Sequence, residues 1–172
     1  CTTNCASSPP ARAFAAGAMV LSRGELFVFG GSNSAGFAQN DTWFLTTTTQ
    51  NSEFWTDGSL GTRPASTAAA GALTLQSGSV TMYMAGGQNS AGRNRTDLWT
   101  MNGASRIWSE LHSSLTTGCG VSQADSEKCS SPPYPRSAPG FAPLSSVFAA
   151  PVKLFTVGGE GSNAKRDDYW TF

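Results

Sequence analysis

The stretch Val80-Thr-Met-Tyr-Met-Ala-Gly-Gly87, followed by Thr96-Asp-Leu-Trp99 and by Ile107-Trp108, decides the fold. A short run of large apolar and β-branched residues reads as a strand. A glycine pair at its end permits positive φ and close passage of another backbone. The same order of features occurs twice more. Glu25-Leu-Phe-Val-Phe29 runs into Gly30-Gly31, and Val152-Lys-Leu-Phe-Thr-Val157 runs into Gly158-Gly159. Each pair is followed by Asp-x-Trp: Asp41 and Trp43, Asp97 and Trp99, Asp168 and Trp170. Each hydrophobic run is preceded by a stretch of small apolar residues, at 13–21, 68–75 and 140–148. Three features in one fixed order define a repeat of about 50 residues with one longer insertion.

Each unit reads as β-structure. The runs are four to eight residues long, rich in Val, Phe, Thr, Trp and Tyr, and bounded by Gly, Asn and Ser. Ser22-Arg23-Gly24 and Gln76-Ser77-Gly78 predict tight turns between the first two strands. In the second unit, Leu98–Met101 predicts a third strand, Asn102-Gly103 a hairpin turn, and Ile107-Trp108 the start of a fourth strand. Four antiparallel strands per repeated unit make a propeller blade, so the predicted fold is all-β.

These residues resemble the kelch repeat. Met82 to Gly87, Thr96 to Trp99 and Trp108 to Leu111 match it best. The first repeat matches with an insertion, the Thr46–Thr49 run, before Phe54-Trp55. On this reading residues 1–12 are a cysteine connector, 13–62 repeat 1, 63–118 repeat 2, 119–135 a second Cys/Pro-rich connector and 136–172 an incomplete repeat 3. Trp43, Trp55, Trp99, Trp108 and Trp170 read as flat fillers between neighbouring blades, each burying on the order of 200 Å². For Trp43, Trp99 and Trp170 a carbohydrate-stacking platform is the competing reading, and their repeat register favours packing. The resemblance implies a closed ring of six or seven blades, of which these are three. The remaining blades are expected from the same longer chain or from a partner copy. The repeated connector, which follows a complete repeat in its second occurrence, supports that expectation.

The composition narrows the function classes. The 172 residues carry 11 basic and 11 acidic side chains, for a net charge of zero. Nucleic acids and anionic membrane surfaces select for clustered Lys and Arg, so neither is the expected partner. No apolar run approaches the roughly 20 residues of a membrane span. Charged residues make up 13%, about half the usual share, while 23 Ser and 18 Thr fill the gap. The surface is hydroxyl-rich.

Cys1 and Cys5 precede repeat 1, and Cys119 and Cys129 precede repeat 3, each pair followed by Ser-Ser-Pro-Pro. The equivalence of the two connectors predicts the local disulfides Cys1–Cys5 and Cys119–Cys129, although four cysteines allow three pairings. A four-thiolate zinc site is disfavoured, because neither pair has the two-residue spacing usual for zinc. Two sequons, Asn40-Asp-Thr42 and Asn94-Arg-Thr96, fall in the loops after Gly31 and Gly87. With the disulfides they predict a secreted or cell-surface glycoprotein.

Catalytic constellations are scarce. His112 is the single histidine, which excludes a site needing two imidazoles within this chain. Propellers of the galactose-oxidase type hold copper with Tyr and His. Here only Tyr83, Tyr134, Tyr169 and His112 are on offer, at scattered positions. Asp167-Asp168 suggests calcium in isolation. Its register with Asp41 and Asp97 reads instead as a loop residue capping backbone amides. Arg12, Arg63 and Arg136 recur near the first strands, as a basic ring or as partners of the loop aspartates. The expected function is therefore a non-enzymatic extracellular scaffold for protein or glycan partners, with no cofactor. Two alternatives are the propeller portion of a secreted copper oxidase and a structural subunit of a surface filament or glycocalyx.

Overall fold

The structure, a computed structural model, describes residues 8–47, 53–58, 62–65, 67–77, 79–112, 136–143, 154–161, 165 and 169–171. All four cysteines, Asp168 and Tyr134 lie outside the described residues, as do the side chains of His112, Tyr169 and Trp170. The chain is all-β. Strands β1 (Ala16–Val20), β2 (Glu25–Phe29), β3 (Thr42–Thr47) and β4 (Glu53–Asp57) form sheet 1 in the order β1-β2-β3-β4. Strands β5 (Gly71–Ser77), β6 (Ser79–Ala85), β7 (Leu98–Asn102) and β8 (Trp108–His112) form sheet 2 in the order β5-β6-β7-β8. Strands β9 (Gly140–Pro143), β10 (Leu154–Val157) and β11 (Tyr169–Thr171) form sheet 3, with β10 central. Every pairing is antiparallel between chain neighbours. Such four-stranded antiparallel sheets, packed face to face, are compatible with a propeller-like fold. The described residues close no ring.

The repeat positions recur in register. Val28 pairs with Trp43, Met84 with Trp99, and Thr156 with Trp170. Side chains alternate between the faces of a strand, so this register decides which residues lie between sheets. Phe27, Phe29 and Phe44 of sheet 1 form one cluster with Met82, Met84, Trp99, Met101 and Trp108 of sheet 2. Trp108 sets its ring 5.8 Å from that of Phe27, tilted, and 5.3 Å from that of Phe29, edge-on, which suits the quadrupoles of aromatic rings. Its indole N–H donates to Thr42 Oγ1 at 3.1 Å, so its one polar atom is satisfied across the same junction. A smaller cluster of Leu73, Ala85, Leu98 and Leu154 joins sheet 2 to sheet 3, with Tyr83 and Phe141 against it.

The first strands of the three sheets lie side by side, β1 against β5 and β5 against β9. Small residues there let the backbones approach. A Cβ on Gly71 would come 2.9 Å from Phe141 Cβ. The glycine pairs work the same way between repeats. Gly30 has φ +61°, and a Cβ on it would fall 2.2 Å from the Thr67 carbonyl oxygen of the next repeat. A Cβ on Gly86, at the same place in repeat 2, would fall 2.7 Å from the Arg136 carbonyl oxygen. The neighbouring amides use this closeness: Gly31 N–H donates to Thr67 O at 2.9 Å, and Gly87 N–H to Arg136 O at 2.8 Å.

Two turns fall where the sequence places them. The tight turn at Ser22-Arg23-Gly24 is a short 3-10 turn, Leu21–Arg23, closed by Gly24 in the left-handed region. The hairpin turn at Asn102-Gly103 runs on to Ile107 before β8 begins. The Asn102 side chain accepts from the amides of Ala104 and Ser105, and Arg106 sits at φ +57°. An Asn side chain that binds the amides ahead of it stabilises this turn.

Candidate functional site

The loops after the glycine pairs lie at one end of the sheets, and two of them fold alike. In Ser32-Asn-Ser-Ala-Gly36, Asn33 Oδ1 accepts from the amides of Ala35 and Phe37, both at 3.0 Å. In Gln88-Asn-Ser-Ala-Gly92, Asn89 Oδ1 accepts from Ala91 at 2.9 Å and Arg93 at 3.0 Å. Each loop also pairs its backbone across the turn, Asn33 with Phe37 and Asn89 with Arg93. The loops are linked in a row. Ala38 N–H donates to Ser90 Oγ at 2.9 Å, and Asn94 Nδ2 donates to the Glu160 carbonyl at 2.8 Å. The result is a hydrogen-bonded rim carrying exposed Ser34, Ala35, Ser90 and Ala91, with Phe37 59% exposed.

Beneath the rim sit two clasps of Arg, Asp and Trp. In repeat 1, Arg12 makes a two-pronged contact with Asp41 at 2.6 and 2.7 Å, and Trp43 Nε1–H donates to the same carboxylate at 2.6 Å. Burial raises the Asp41 carboxyl. The hydrogen bonds from Arg12 and Trp43 and the charge of Arg12 outweigh it, holding the group below the ordinary carboxylate value. In repeat 2, Arg95 grips Asp97 at 2.8 to 3.0 Å, and Trp99 Nε1–H donates to Asp97 at 2.9 Å. These aspartates thus hold an indole and a guanidinium, where the sequence reading had them capping backbone amides. The reason is distance along the strand: the carboxylate at Asp-x-Trp lies on the same face as the tryptophan two residues on, within reach of its N–H.

The arginine series also needs correcting. Ala13 pairs with Ser32, Ala68 with Gln88 and Ser137 with Glu160, so Arg12, Thr67 and Arg136 are the equivalent residues. Arg63 is not among them. Arg12 and Arg136 each donate to the first glycine carbonyl of their own pair, Gly30 O at 2.8 Å and Gly158 O at 2.9 Å. Thr67 has no guanidinium to offer, and Arg95 supplies it. The pairing with loop aspartates holds for Arg12, and no basic ring is needed to account for it.

The two sequons lie in equivalent loops at non-equivalent positions. Asn40 is exposed. Asn94 is half-buried, its amide nitrogen held by Glu160 O and its oxygen facing Gln88 Nε2 at 3.2 Å. The threonines of both sequons, Thr42 and Thr96, are buried. Of the tyrosines considered for copper, Tyr83 is described in full. It packs in the junction of sheets 2 and 3, and burial pushes its hydroxyl up. Among the described residues no three His, Cys, Asp or Glu side chains gather as a metal site. At the opposite end of the sheets, sequence reading missed a second inter-sheet contact. Arg106 lies 4.2 Å over the Phe44 ring and 3.6 Å from buried Glu25, while Arg23 donates to Gly103 O at 2.7 Å. No periodicity marks these turn residues.

Sheets, loops and clasps define an all-β protein whose antiparallel sheets are compatible with a propeller-like fold. Its likeness to known proteins lies in that architecture. A solved structure described as "Structure of YjhT" superposes with a TM-score of 0.64 at 16% identity, over 95% of this chain and 43% of that one. The chain therefore spans less than half the length of this structural neighbour. No protein-family model and no curated protein matches the chain. No helix among the described residues is long and apolar enough to cross a membrane.

Proposed function

We propose that the chain is part of a kelch-type β-propeller acting as a non-enzymatic scaffold outside the cell, with the loop rim as its contact surface for protein or glycan partners. One observation carries the reading. The rim loops are fixed internally by Asn33 and Asn89 and tied to one another through Ser90 and Asn94, so they present a preformed surface. A preformed surface loses little conformational entropy when it binds. The polar, hydroxyl-rich loops with one exposed aromatic, Phe37, suit contacts of the kind glycans and protein surfaces make. The disulfides Cys1–Cys5 and Cys119–Cys129 belong to the same proposal, as does a glycan on Asn40.

Peptide mapping of native material without reduction, together with elemental analysis, tests it. Two closed connectors, a glycan at Asn40 and no stoichiometric copper are expected. One copper per chain would put the secreted oxidase first. Four free thiols with both asparagines unmodified would remove the protein from the secretory route.

A further inference from the structure

Sheet 1 presents an apolar face that no other described sheet covers, and its composition shows what it is shaped to meet. Leu26, Val28, Trp43, Leu45 and Trp55 occupy the register positions that Met82, Met84, Trp99, Met101 and Trp108 occupy in sheet 2. Those five sheet 2 residues are the ones that bury against Phe27, Phe29 and Phe44. In sheet 1 all five remain partly exposed, and Met19 on the adjoining strand is 46% exposed. A row of such residues without a partner marks an interaction surface.

The other half of the junction is present at the far end of the same chain. On sheet 3, Val157 stands at the register of Phe29, on the face turned away from sheet 2, since Leu154 and Thr156 of the same strand are buried and Leu154 packs against sheet 2. Phe29 is fully buried, whereas Val157 is 41% exposed. The backbone repeats the asymmetry. Gly31 and Gly87 donate to the carbonyls of Thr67 and Arg136 in the following repeat. Gly159 stands at their position and Arg12 at that of the two acceptors. Among the described residues, neither the Gly159 N–H nor the Arg12 carbonyl has such a partner. One end offers the donor and the face that carries Val157. The other offers the acceptor and the Trp face.

We propose that the outward face of sheet 1 seats the outward face of sheet 3 from a second copy of this chain, head to tail. A contact between unlike faces closes only if its rotations sum to a full turn. Two copies would then meet at two identical junctions and complete a ring of six sheets. The proposal rests on reading the sheets as blades and is independent of the extracellular role. A copper signal would overturn the scaffold reading and leave this pairing untouched.

Light scattering across a concentration series tests it. A species of twice the 17.9 kDa chain mass is expected. Met19→Lys with Leu45→Lys blocks the sheet 1 face, and Val157→Lys blocks the sheet 3 face. Each blocked protein alone should be monomeric, and mixing the two should restore a one-to-one pair, because each retains the face that the other lacks. Met19→Lys alone, on an exposed side chain, serves if the double variant fails to melt cooperatively. Leu111→Lys, on the exposed edge strand β8, should leave the pair intact. Three results would overturn the proposal. These are a wild-type monomer throughout, an open-ended polymer, or blocked variants that still self-associate.

Discussion

The clasps of repeats 1 and 2 perform the same task with differently sourced parts. In both, a carboxylate holds the indole N–H of the tryptophan two residues on and a guanidinium at 2.6–3.0 Å. In repeat 1 the guanidinium arrives from Arg12, 29 residues away in the lead-in segment. In repeat 2 the lead-in residue is Thr67, and Arg95 reaches the carboxylate from two residues away. The settings differ too. The Asp97 side chain is 1% exposed and that of Asp41 is 24% exposed, because sheet 1 covers the first clasp's counterpart and nothing described covers sheet 1's own. A repeat therefore constrains the charge at a place in space more tightly than the residue at a place in sequence.

The largest contrast should come from the tryptophans. Trp99→Ala empties a site between two sheets and should cost about 3–5 kcal/mol, as for other large-to-small core changes. In the Val157→Lys monomer, where no second copy seats on sheet 1, Trp43→Ala at the same register on the open face should cost about 1 kcal/mol. Urea melts of the two variants in that background check this. Equal losses there would mean that the sheet 1 face is covered within one chain as fully as the interior junction.

The carboxylates should follow in the same order. Asp97→Asn leaves the Arg95 charge facing a neutral amide in a buried place, with an expected loss of about 2–3 kcal/mol. Asp41→Asn should lose about 1 kcal/mol, since water reaches that carboxylate and screens the pair. Denaturant midpoints measure both. If Asp41→Asn proved the worse, burial would not be what sets the strength of the clasp.

Exchanging the donors sharpens the comparison further. Arg12→Thr copies the Thr67 lead-in into repeat 1 and should lower stability by about 1–2 kcal/mol. Gln39 stands in repeat 1 where Arg95 stands in repeat 2, each two residues before its aspartate. Adding Gln39→Arg should recover at least half of that loss, and a double-mutant cycle reads the coupling directly. Independent, additive effects would show that the two sources are not interchangeable.

The strands, the glycine pairs and the packing role of Trp99 and Trp108 were legible because each answers to a rule of short range. Pleat alternation and the steric needs of a close backbone crossing write themselves into every copy. The guanidinium donors were not legible. Arg63 appeared to belong with Arg12 and Arg136 because the Pro- and Ser-rich lead-ins carry no periodicity to fix their alignment. Only the bridges of Ala13, Ala68 and Ser137 to their loops set that register. The Arg106 contact with Glu25 and Phe44 was hidden for a related reason: it joins turns of different repeats, 81 positions apart for the charged pair. The all-β build of four-stranded antiparallel sheets was thus readable from strands alone, while the rim's cohesion depends on Ser90 and Asn94 meeting loops of neighbouring repeats.

The smallest effect is a pH dependence confined to the first clasp. Asp41 is held below the ordinary carboxylate value, so in the unfolded chain it takes up a proton at a higher pH than in the fold. A group of this kind contributes its full stabilisation above the unfolded carboxylate range, near pH 4, and loses it as pH falls through the lowered folded value. Stability of the wild type should therefore drop on acidification below about pH 5 by more than that of Asp41→Asn, which has no proton to gain. The gap between the two proteins should narrow as the solution is made more acidic and should stay constant from pH 6 to 8. Denaturant midpoints at half-unit steps between pH 3 and 8 would reveal it. A gap that widened with acid would mean that desolvation governs Asp41, with Arg12 and Trp43 too weakly engaged to hold its charge.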